Sequence, residues 1–500
     1  MPTIFSKEEL GKNRINGFYE TPPETVNYMV SKIVEFWKPG MKILDPAVGN
    51  GVFLYALRNR KIPVKDIYGF DIDAAKIKTL RVNFPNLKVF DSTNPFPERY
   101  DFIIGNPPYN GDESHFVREH RNRLKGLFVE IGVRNTYSMI SYQAIKSLRP
   151  NGRFSMIIED SFLTTFYYKE FREFLINNSI LEEILLAPRK LFHAGSADVR
   201  TCILTLMKKA SIGSAHNDLP SFFQADRHNV RLIDRVASES EYKNPPKVEY
   251  VEQKDFNLYP NAVMLIGLSK AIRDIYLNSA LRLGDVVEGG TGISTGDDKK
   301  FLRKREDVEN DPQWVPYWKN GARKAYRYLP GWYIEKNYKK YSSRVSNYMI
   351  RNEKFFFKEG ITCSSVGVRF SAAYMPPGGL FGVNANFMIK DPADKNMLFY
   401  LLGLLNSKLG WFFARRLLVR TNNISANYLR QFPLPQADKI IESKIIFLVK
   451  GILAKMENDL DYDFIQEQKR IDELVFKIYK ISPEDRTQIM RFCENFYDQI

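Results

Sequence analysis

Two prolines between an asparagine and a tyrosine, at Asn106, Pro107, Pro108 and Tyr109, follow directly on the strand-like run DFIIG at 101–105. Proline fixes φ and removes a backbone donor, so the run ends in a stiff loop whose carbonyls are left as acceptors. The Asn106 side-chain oxygen adds another. Two acceptors converging on one point suit an NH2 group. On an aromatic base such an amine is a poor nucleophile, because its lone pair is delocalised into the ring. Hydrogen bonds from its two N–H groups to Asn106 Oδ1 and the Pro107 carbonyl would draw the nitrogen toward a tetrahedral shape and aim the lone pair at a methyl donor. Direct transfer of this kind asks for positioning more than for a strong general base. Tyr109 offers a flat wall for the base, and Phe192, in RKLFHAGSADVR, is the candidate for the opposing wall, although a core Phe ahead of a strand reads the same way. A base held there has to leave its duplex stack. A glutamine amide presents the same NH2, so the loop by itself does not separate a nucleobase from a protein substrate.

Upstream, LDPAVGNGVFLYAL from Leu44 reads as strand, tight turn and helix. Gly49 and Gly51 let a ligand approach the backbone closely, at a helix start whose first N–H groups are free. The turn lacks the full G-x-G-x-x-G, and Asp45 would repel a pyrophosphate, so a cationic or zwitterionic ligand fits better; a merely structural turn is the alternative. Asp71 ends the next strand, GFDID, where a carboxylate accepts the hydroxyls of a ribose. Asp91 ends the third and can accept from an adenine amine. Three acids at the ends of three successive strands describe a ligand with a positive centre, a ribose and an adenine, which is S-adenosylmethionine. In GFYETPPETVNYMV, Thr21 and Glu24 form a T-x-x-E capping pair with Pro22 at the first helical position, so a helix is expected to start there.

The elements that would hold these residues alternate. Strands are expected at 42–47, 66–73, 87–92, 100–106, 152–158, 180–187 and 201–207, with helices at 25–37, 51–60 and 135–148 between them. That alternation implies an α/β fold with a doubly wound, mostly parallel sheet, whose ligands sit at the carboxyl ends of the strands. After about residue 208 the pattern gives way to a loop-like stretch and then to a segment dense in aromatics, lysine and arginine. A longer apolar helix is expected at 397–418, and mixed-charge helices over the last sixty or so residues. Boundaries fall near 245 and 440, giving a catalytic domain (1–245), an α+β domain (246–440) and a helical segment (441–500).

Five hundred residues with 44% apolar side chains can fill two or three cores. Three cysteines without a C-x-x-C pair and five histidines without an H-x-x-x-H arrangement support neither a disulfide framework nor a metal site. No signal peptide is read at the start, and the greasiest run, 397–405, ends at Asn406 well short of a membrane span, so a soluble, cytosolic chain is expected. A net charge of +15 with pI near 9.3 points to a polyanion without choosing between DNA, RNA and an acidic membrane surface. Between 299 and 358 cations interleave with aromatic rings; Lys299, Lys300, Arg303, Arg323, Lys324 and Arg327 are the candidates for phosphate or base contact.

The order TPPE (21–24), DPAVGNGVF (45–53), FDID (70–73), Asp91, NPPY (106–109) and LFHAGSADVRTCIL (191–204) resembles the gamma-class DNA adenine-N6 methyltransferases of restriction-modification systems, of the TaqI and Eco57I type. More loosely, GGTGISTGDD (289–298), LLGLLNSKLGWFF (401–413) and NYLRQFPLP (427–435) look like that family's target recognition domain. The resemblance implies S-adenosylmethionine as cofactor, held by Thr21, Asp45, Pro46, Ala47, Gly49, Gly51, Asp71, Ile72, Asp91 and Ser92. It implies Asn106, Pro107, Pro108, Tyr109 and Phe192 around a flipped adenine. NPPY rather than SPPY favours adenine over cytosine N4, and no Pro-Cys nucleophile occurs for C5 chemistry. The expected partner is double-stranded DNA, met as a monomer in a bacterial or archaeal cytoplasm, and any endonuclease is expected on a separate chain.

Overall fold

The computed structural model describes residues 19–189, 191–192, 199–210, 228–319, 321–342, 345, 347–364, 369–418, 424–436 and 438–494. The chain divides into two compact units, Met1–Gly267 and Leu268–Ile500, where three domains are expected from the sequence. The boundary expected near 245 falls just ahead of a strand that completes the first unit's sheet, and the one at 440 falls inside a helix of the second.

In the first unit all seven expected strands are present: β1 (Ile43–Asp45), β2 (Ile67–Asp71), β3 (Asn86–Val89), β4 (Tyr100–Gly105), β5 (Leu148–Glu159), β6 (Ser179–Leu186) and β7 (Thr201–Lys208). Two further strands, β8 (Asn229–Ile233) and β9 (Val248–Glu252), extend the sheet to the order β3-β2-β1-β4-β5-β7-β6-β8-β9. Pairing is parallel except that β7 runs against β5 and β6, and β9 against β8. The strand order turns back at β1, which lies between β2 and β4. In open sheets of this kind the crevice for a ligand opens there, beyond the carboxyl ends.

Alternation along each strand feeds two cores. Phe102 and Ile104 of β4 join the core beneath helices α1 (Pro23–Val34), α2 (Val52–Asn59) and α3 (Ala74–Arg81), while Ile103 joins the core beneath α4 (Thr136–Ser147) and α5 (Lys169–Asn178), as does Tyr100 across a register shift. The doubly wound α/β architecture read from the sequence is therefore the one observed.

Helix α1 starts differently from expectation. Pro22 is its N-cap, Pro23 its first residue, and no side chain caps it locally. Instead the Thr25 N–H and hydroxyl both donate to Glu239 Oε1, at 3.0 and 2.6 Å, so a carboxylate distant in sequence answers a free N–H of the first turn. The Thr21 hydroxyl is thereby released from capping. Further along α1, the Tyr28 hydroxyl (2.6 Å) and the Lys32 ammonium (2.9 Å) both donate to Glu183 of β6, which also pairs with Arg231 of β8. A register shift between Leu181 and Glu183 lets the neighbouring acid, Glu182, pair separately with Arg153.

The second unit contains two four-stranded sheets. One joins Val287–Gly290, Ala385–Ile389, Gly360–Cys363 and Ala372–Met375; the other joins Leu302–Lys304, Trp332–Glu335, Trp314–Trp318 and Leu380–Phe381. Gly289 has a positive φ of 124° and lies so close to the paired strand that a Cβ would come within 2.3 Å of the Asn386 carbonyl. The apolar helix expected at 397–418 breaks at Ser407, whose hydroxyl caps the next turn by accepting from Gly410 N–H at 2.9 Å, and the two pieces meet at 68°. Among the described residues no single helix is long and apolar enough to cross a membrane. Helices Lys439–Asn458, Ile465–Ile478 and Pro483–Glu494 complete the unit, as the mixed-charge ending implied.

Glu183 is almost fully buried among its three partners. Its replacement by alanine should leave two cations and a phenol facing a hole and destabilise the first unit by about 3 kcal/mol. Urea unfolding of the full chain checks this, and a change below about 0.5 kcal/mol, the size of an ordinary surface substitution, would contradict it.

Candidate active site

Four strand ends and one loop meet at the switch point. Asp45, the last residue of β1, is buried, and burial raises its carboxyl to about 8 against an opposing hydrogen bond from Ala47 N–H (3.0 Å) to Oδ1, with the nearby Asp71 adding to the rise. The second oxygen of Asp45, Oδ2, is buried and has no hydrogen-bond partner. An unsatisfied carboxylate oxygen in such a place is costly unless a donor arrives. Gly105, at the end of β4, makes room for this acid, since a Cβ there would lie 2.7 Å from Asp45 Oδ1. The stiff Asn-Pro-Pro-Tyr corner thus starts one residue away from the acid and beside the glycine turn.

That turn carries Gly49 and Gly51 at φ of 51° and 80°, conformations that L side chains rarely adopt. Asp71, at the end of β2, is half-buried and accepts from Gly49 N–H through Oδ2 and from Asp73 N–H through Oδ1, both at 2.9 Å. It holds the turn while each oxygen keeps a lone pair. Ile72 beside it is 65% exposed, an apolar surface at the mouth of the crevice.

Two cofactor expectations change at β3. Asp91 is engaged within the protein: Arg123 donates to Oδ2 at 2.8 Å, and the Thr93 N–H and hydroxyl donate to Oδ1 at 2.9 and 2.6 Å. An adenine amine would have to share an oxygen already bonded. The Ser92 hydroxyl is turned inward and donates to the Pro46 carbonyl at 2.6 Å. Its side chain clamps the loop after β1.

The Asn106 amide is fixed from both ends. Nδ2 donates to the Tyr19 carbonyl at 2.8 Å and to Thr21 Oγ1 at 3.0 Å, while Oδ1 accepts from the Tyr109 hydroxyl at 2.6 Å. A carbonyl can only accept, so the nitrogen must face Tyr19 and the oxygen must face away. The Tyr109 hydroxyl also reaches the Ile157 carbonyl at 3.1 Å, and burial first, then Glu159, holds its pKa well above the ordinary value, so it is a neutral donor. Pro108 and Asn110 are tied to Thr136 at the start of α4. Among the described residues no donor reaches the Pro107 carbonyl.

Three rings crowd the corner. Tyr19 stacks on Tyr109 at 5.8 Å and 27°, Phe192 lies 5.3 Å from Tyr19, and Tyr109 and Phe192 are 6.4 Å apart at 57°. A flat base between two walls needs about 3.5 Å on each side, roughly 7 Å with both rings parallel. The simple pair of walls expected from Tyr109 and Phe192 is therefore closed by Tyr19, a residue that sequence reading does not single out. Phe192 is also a buried member of the core beneath α1, the alternative reading of that residue. The rest of its motif, 193–198, lies outside the described residues. Glu159, at the end of β5, is likewise invisible in the sequence pattern; burial and then Asp160 raise it to about 7, and Asn135 Nδ2 donates to it at 3.3 Å.

In the second unit the six expected DNA contacts divide into two groups. Lys324 pairs with Asp461 and Arg327 with Glu457. For Lys299, Lys300, Arg303 and Arg323, all exposed, no carboxylate among the described residues lies within ion-pair distance. An exposed pair such as Lys324–Asp461 is worth at most about 1 kcal/mol, so it discounts that lysine for phosphate contact without removing it.

Residues 65–192 match the Eco57I restriction-modification methylase family, and residues 304–434 match the TaqI-like C-terminal specificity domain. The chain is 25% identical over 381 residues to the adenine-specific methyltransferase PglX of Lacticaseibacillus casei, covering 69% of this chain and 31% of that protein. It is 25% identical over 303 residues to the type II methyltransferase M.HindII of Haemophilus influenzae, covering 57% and 55%. It thus spans about a third to a half of the length of these relatives. Among solved structures, the DrdV–DNA complex matches with a TM-score of 0.55 at 13% identity over 90% of this chain and 58% of that one. A nuclease-deletion mutant of the Type ISP restriction-modification enzyme LlaGI, in complex with a DNA substrate mimic, gives 0.54 at 13% over 87% and 54%. At that identity the likeness is one of fold.

The raised acids set a pH dependence. The Asp45 carboxyl, ordinarily near 3.8, is held near 8 in the fold, so its protonated form stabilises the protein; that contribution is complete below about 4 and is lost as pH rises through about 8. Asp45→Asn keeps the acceptor for Ala47 and removes the titration. Its unfolding temperature should match that of the parent chain below about pH 4 and exceed it increasingly up to about pH 8. A gap independent of pH would contradict the assignment.

Proposed function

We propose that this chain, which joins an Eco57I restriction-modification methylase segment to a TaqI-like specificity domain, transfers a methyl group from S-adenosylmethionine to the N6 amine of an adenine flipped out of duplex DNA, as the modification component of a restriction-modification system. The observation that carries this reading is the Asn106 amide. Its nitrogen is committed to Tyr19 and Thr21, so the group can offer a substrate nothing but its oxygen, and the next carbonyl, that of Pro107, has no donor of its own among the described residues.

The residues around the glycine turn fit the cofactor. Asp45 Oδ2 supplies a buried acceptor for its ammonium group, Asp71 retains lone pairs for ribose hydroxyls, and Ile72 supplies an apolar surface for its ring. When bound there, S-adenosylmethionine supplies the electrophilic methyl. Pro46, Ala47, Gly49 and Gly51 would line its methionine end, beside Thr21, while Asp91 would reach its adenine only by sharing the oxygen that Arg123 holds.

The chain's own work is positional. The amine of the target base donates to Asn106 Oδ1 and to the Pro107 carbonyl, and the two bonds concentrate its lone pair on the side facing the methyl. Asn106 Oδ1 has room for this donor because the Tyr109 hydroxyl occupies one of two lone pairs. Pro107 and Pro108 keep the acceptors from relaxing, and Thr136 anchors the loop from behind. Entry of the base requires Tyr19 to leave its stack on Tyr109, whose ring face the base then takes. Lys299, Lys300, Arg303 and Arg323, with Lys324 and Arg327, supply the positive surface for duplex phosphates.

Incubation of the full chain with methyl-labelled S-adenosylmethionine and unmodified genomic DNA, followed by nucleoside analysis, should yield labelled N6-methyldeoxyadenosine. Asn106→Ala should lower the transfer rate by about 10²–10³-fold while cofactor affinity measured by calorimetry changes little. Full activity in that variant would refute the role, and cofactor binding by the parent chain without any transfer would mark a retired scaffold. Neutralising Arg323 should reduce the slope of log affinity against log salt by about 0.9, and neutralising Lys324 by less, in anisotropy titrations; an unchanged slope in both would place the duplex elsewhere.

A further inference from the structure

The second unit contains a partly open pocket of about 230 Å³ lined by Trp318, at the end of the strand Trp314–Trp318. Tyr328 meets the indole edge-on at 5.0 Å and 87°, and Tyr333 and Tyr374 add further ring surface. Two donors in its lining are buried without a hydrogen-bond partner: the indole Nε1–H of Trp318 and the guanidinium Nε–H of Arg327. The remainder of the Arg327 head is held from outside the pocket, Nη2 donating to Glu457 at 3.4 Å. Gly379 lies beside the indole donor, and a Cβ there would stand 3.0 Å from Trp318 Nε1. Buried donors are ordinarily satisfied, and two left open in one small aromatic cavity mark a place prepared for an acceptor.

We propose that this pocket receives a single nucleobase presenting a keto oxygen. The volume falls below the range of about 300–1,000 Å³ typical of sites for whole drug-sized ligands, so it is scaled to one ring. Flat aromatic walls suit a flat ring, because base–aromatic stacking works for every base. Selection then comes from the donors. Thymine or guanine offers a keto oxygen to the indole and guanidinium hydrogens, whereas the amine of adenine would face two more donors. The cationic Arg327 disfavours a positively charged ligand and suits one attached to phosphate. The inference rests on the DNA-modifying reading, in which the specificity unit holds an unstacked base of the bound duplex. A free nucleotide offers the same chemistry.

The test follows the tryptophan emission of the full chain with three probes: thymidine monophosphate, a duplex carrying one thymine opposite an abasic site, and the same duplex with adenine there. Duplex affinity is followed in parallel by anisotropy. A quench by the thymine duplex, larger than that by the adenine duplex and lost in Trp318→Phe, supports the pocket as a seat for a DNA base. Gly379→Ala, which keeps every tryptophan but sets a methyl against the indole donor, should lose the same quench while still binding DNA. A quench by the monophosphate alone supports a free nucleotide as the occupant. Duplex binding without any Trp318-dependent quench overturns the pocket and leaves the DNA reading standing. Failure of both duplexes to bind instead counts against that reading, and the monophosphate then decides the pocket alone, no quench overturning it.

Discussion

The hydrogen bonds from Asn106 Nδ2 to Tyr19 and Thr21 are the constraint on which the rest of the first unit turns. A primary amide is ambiguous: turned one way it offers an acceptor, turned the other way two donors. Here the backbone carbonyl of Tyr19 decides, and the decision needs the entrance segment held against the end of β4. That placement comes from α1, which Glu183 ties to the sheet and Glu239 ties to the turn between β8 and β9. The distribution of charge far from the corner therefore governs which face of one side chain a substrate meets.

The same geometry explains why the corner can be closed and still be competent. Tyr109 donates to Asn106 Oδ1 and stacks with Tyr19, so in this state the protein's own groups engage one lone pair and the ring face at the proposed base site. An adenine would add its amine at the second lone pair of Asn106 Oδ1 and replace the Tyr19 ring on Tyr109, a heterocycle for a phenol ring. Exchange of like for like keeps the net cost of opening small compared with exposing bare aromatic surface to water. The raised carboxyls of Asp45 and Glu159 have a common first cause, since burial disfavours the charged form until a counter-charge arrives.

Much of this is legible in residue order, and the exceptions have a common cause. Short apolar runs bounded by turn residues locate seven strands. The acids and the Asn-Pro-Pro-Tyr loop stand out because they sit at strand ends, where a one-dimensional pattern fixes a three-dimensional place. Strands β8 and β9 escape such a reading because NVRLI and VEYVE carry charges at the far edge of the sheet, where one strand needs little apolar surface. The T-x-x-E pair at Thr21 and Glu24 reads as a local cap, but Glu239, 214 residues on from Thr25, takes that role. Asp91 looks free in the sequence, yet the fold brings Arg123 beside it, and Lys324 and Arg327 likewise meet Asp461 and Glu457. Each of these partners is an ordinary charged residue in a solvent-compatible helix or loop, with no local signal. The pair Glu182–Glu183 inside an apolar strand is such a signal, because carboxylates in that setting demand cations beside them.

The most direct test is the position of the target nitrogen itself. Once the methylated site is known, a structure of the chain with duplex DNA and an S-adenosylmethionine analogue lacking a transferable methyl group locates it. The account predicts the adenine N6 within hydrogen-bond distance of both Asn106 Oδ1 and the Pro107 carbonyl, with Tyr19 displaced from the face of Tyr109. A base bound elsewhere, with Tyr19 still stacked and the amide oxygen still answered by Tyr109 alone, would contradict it.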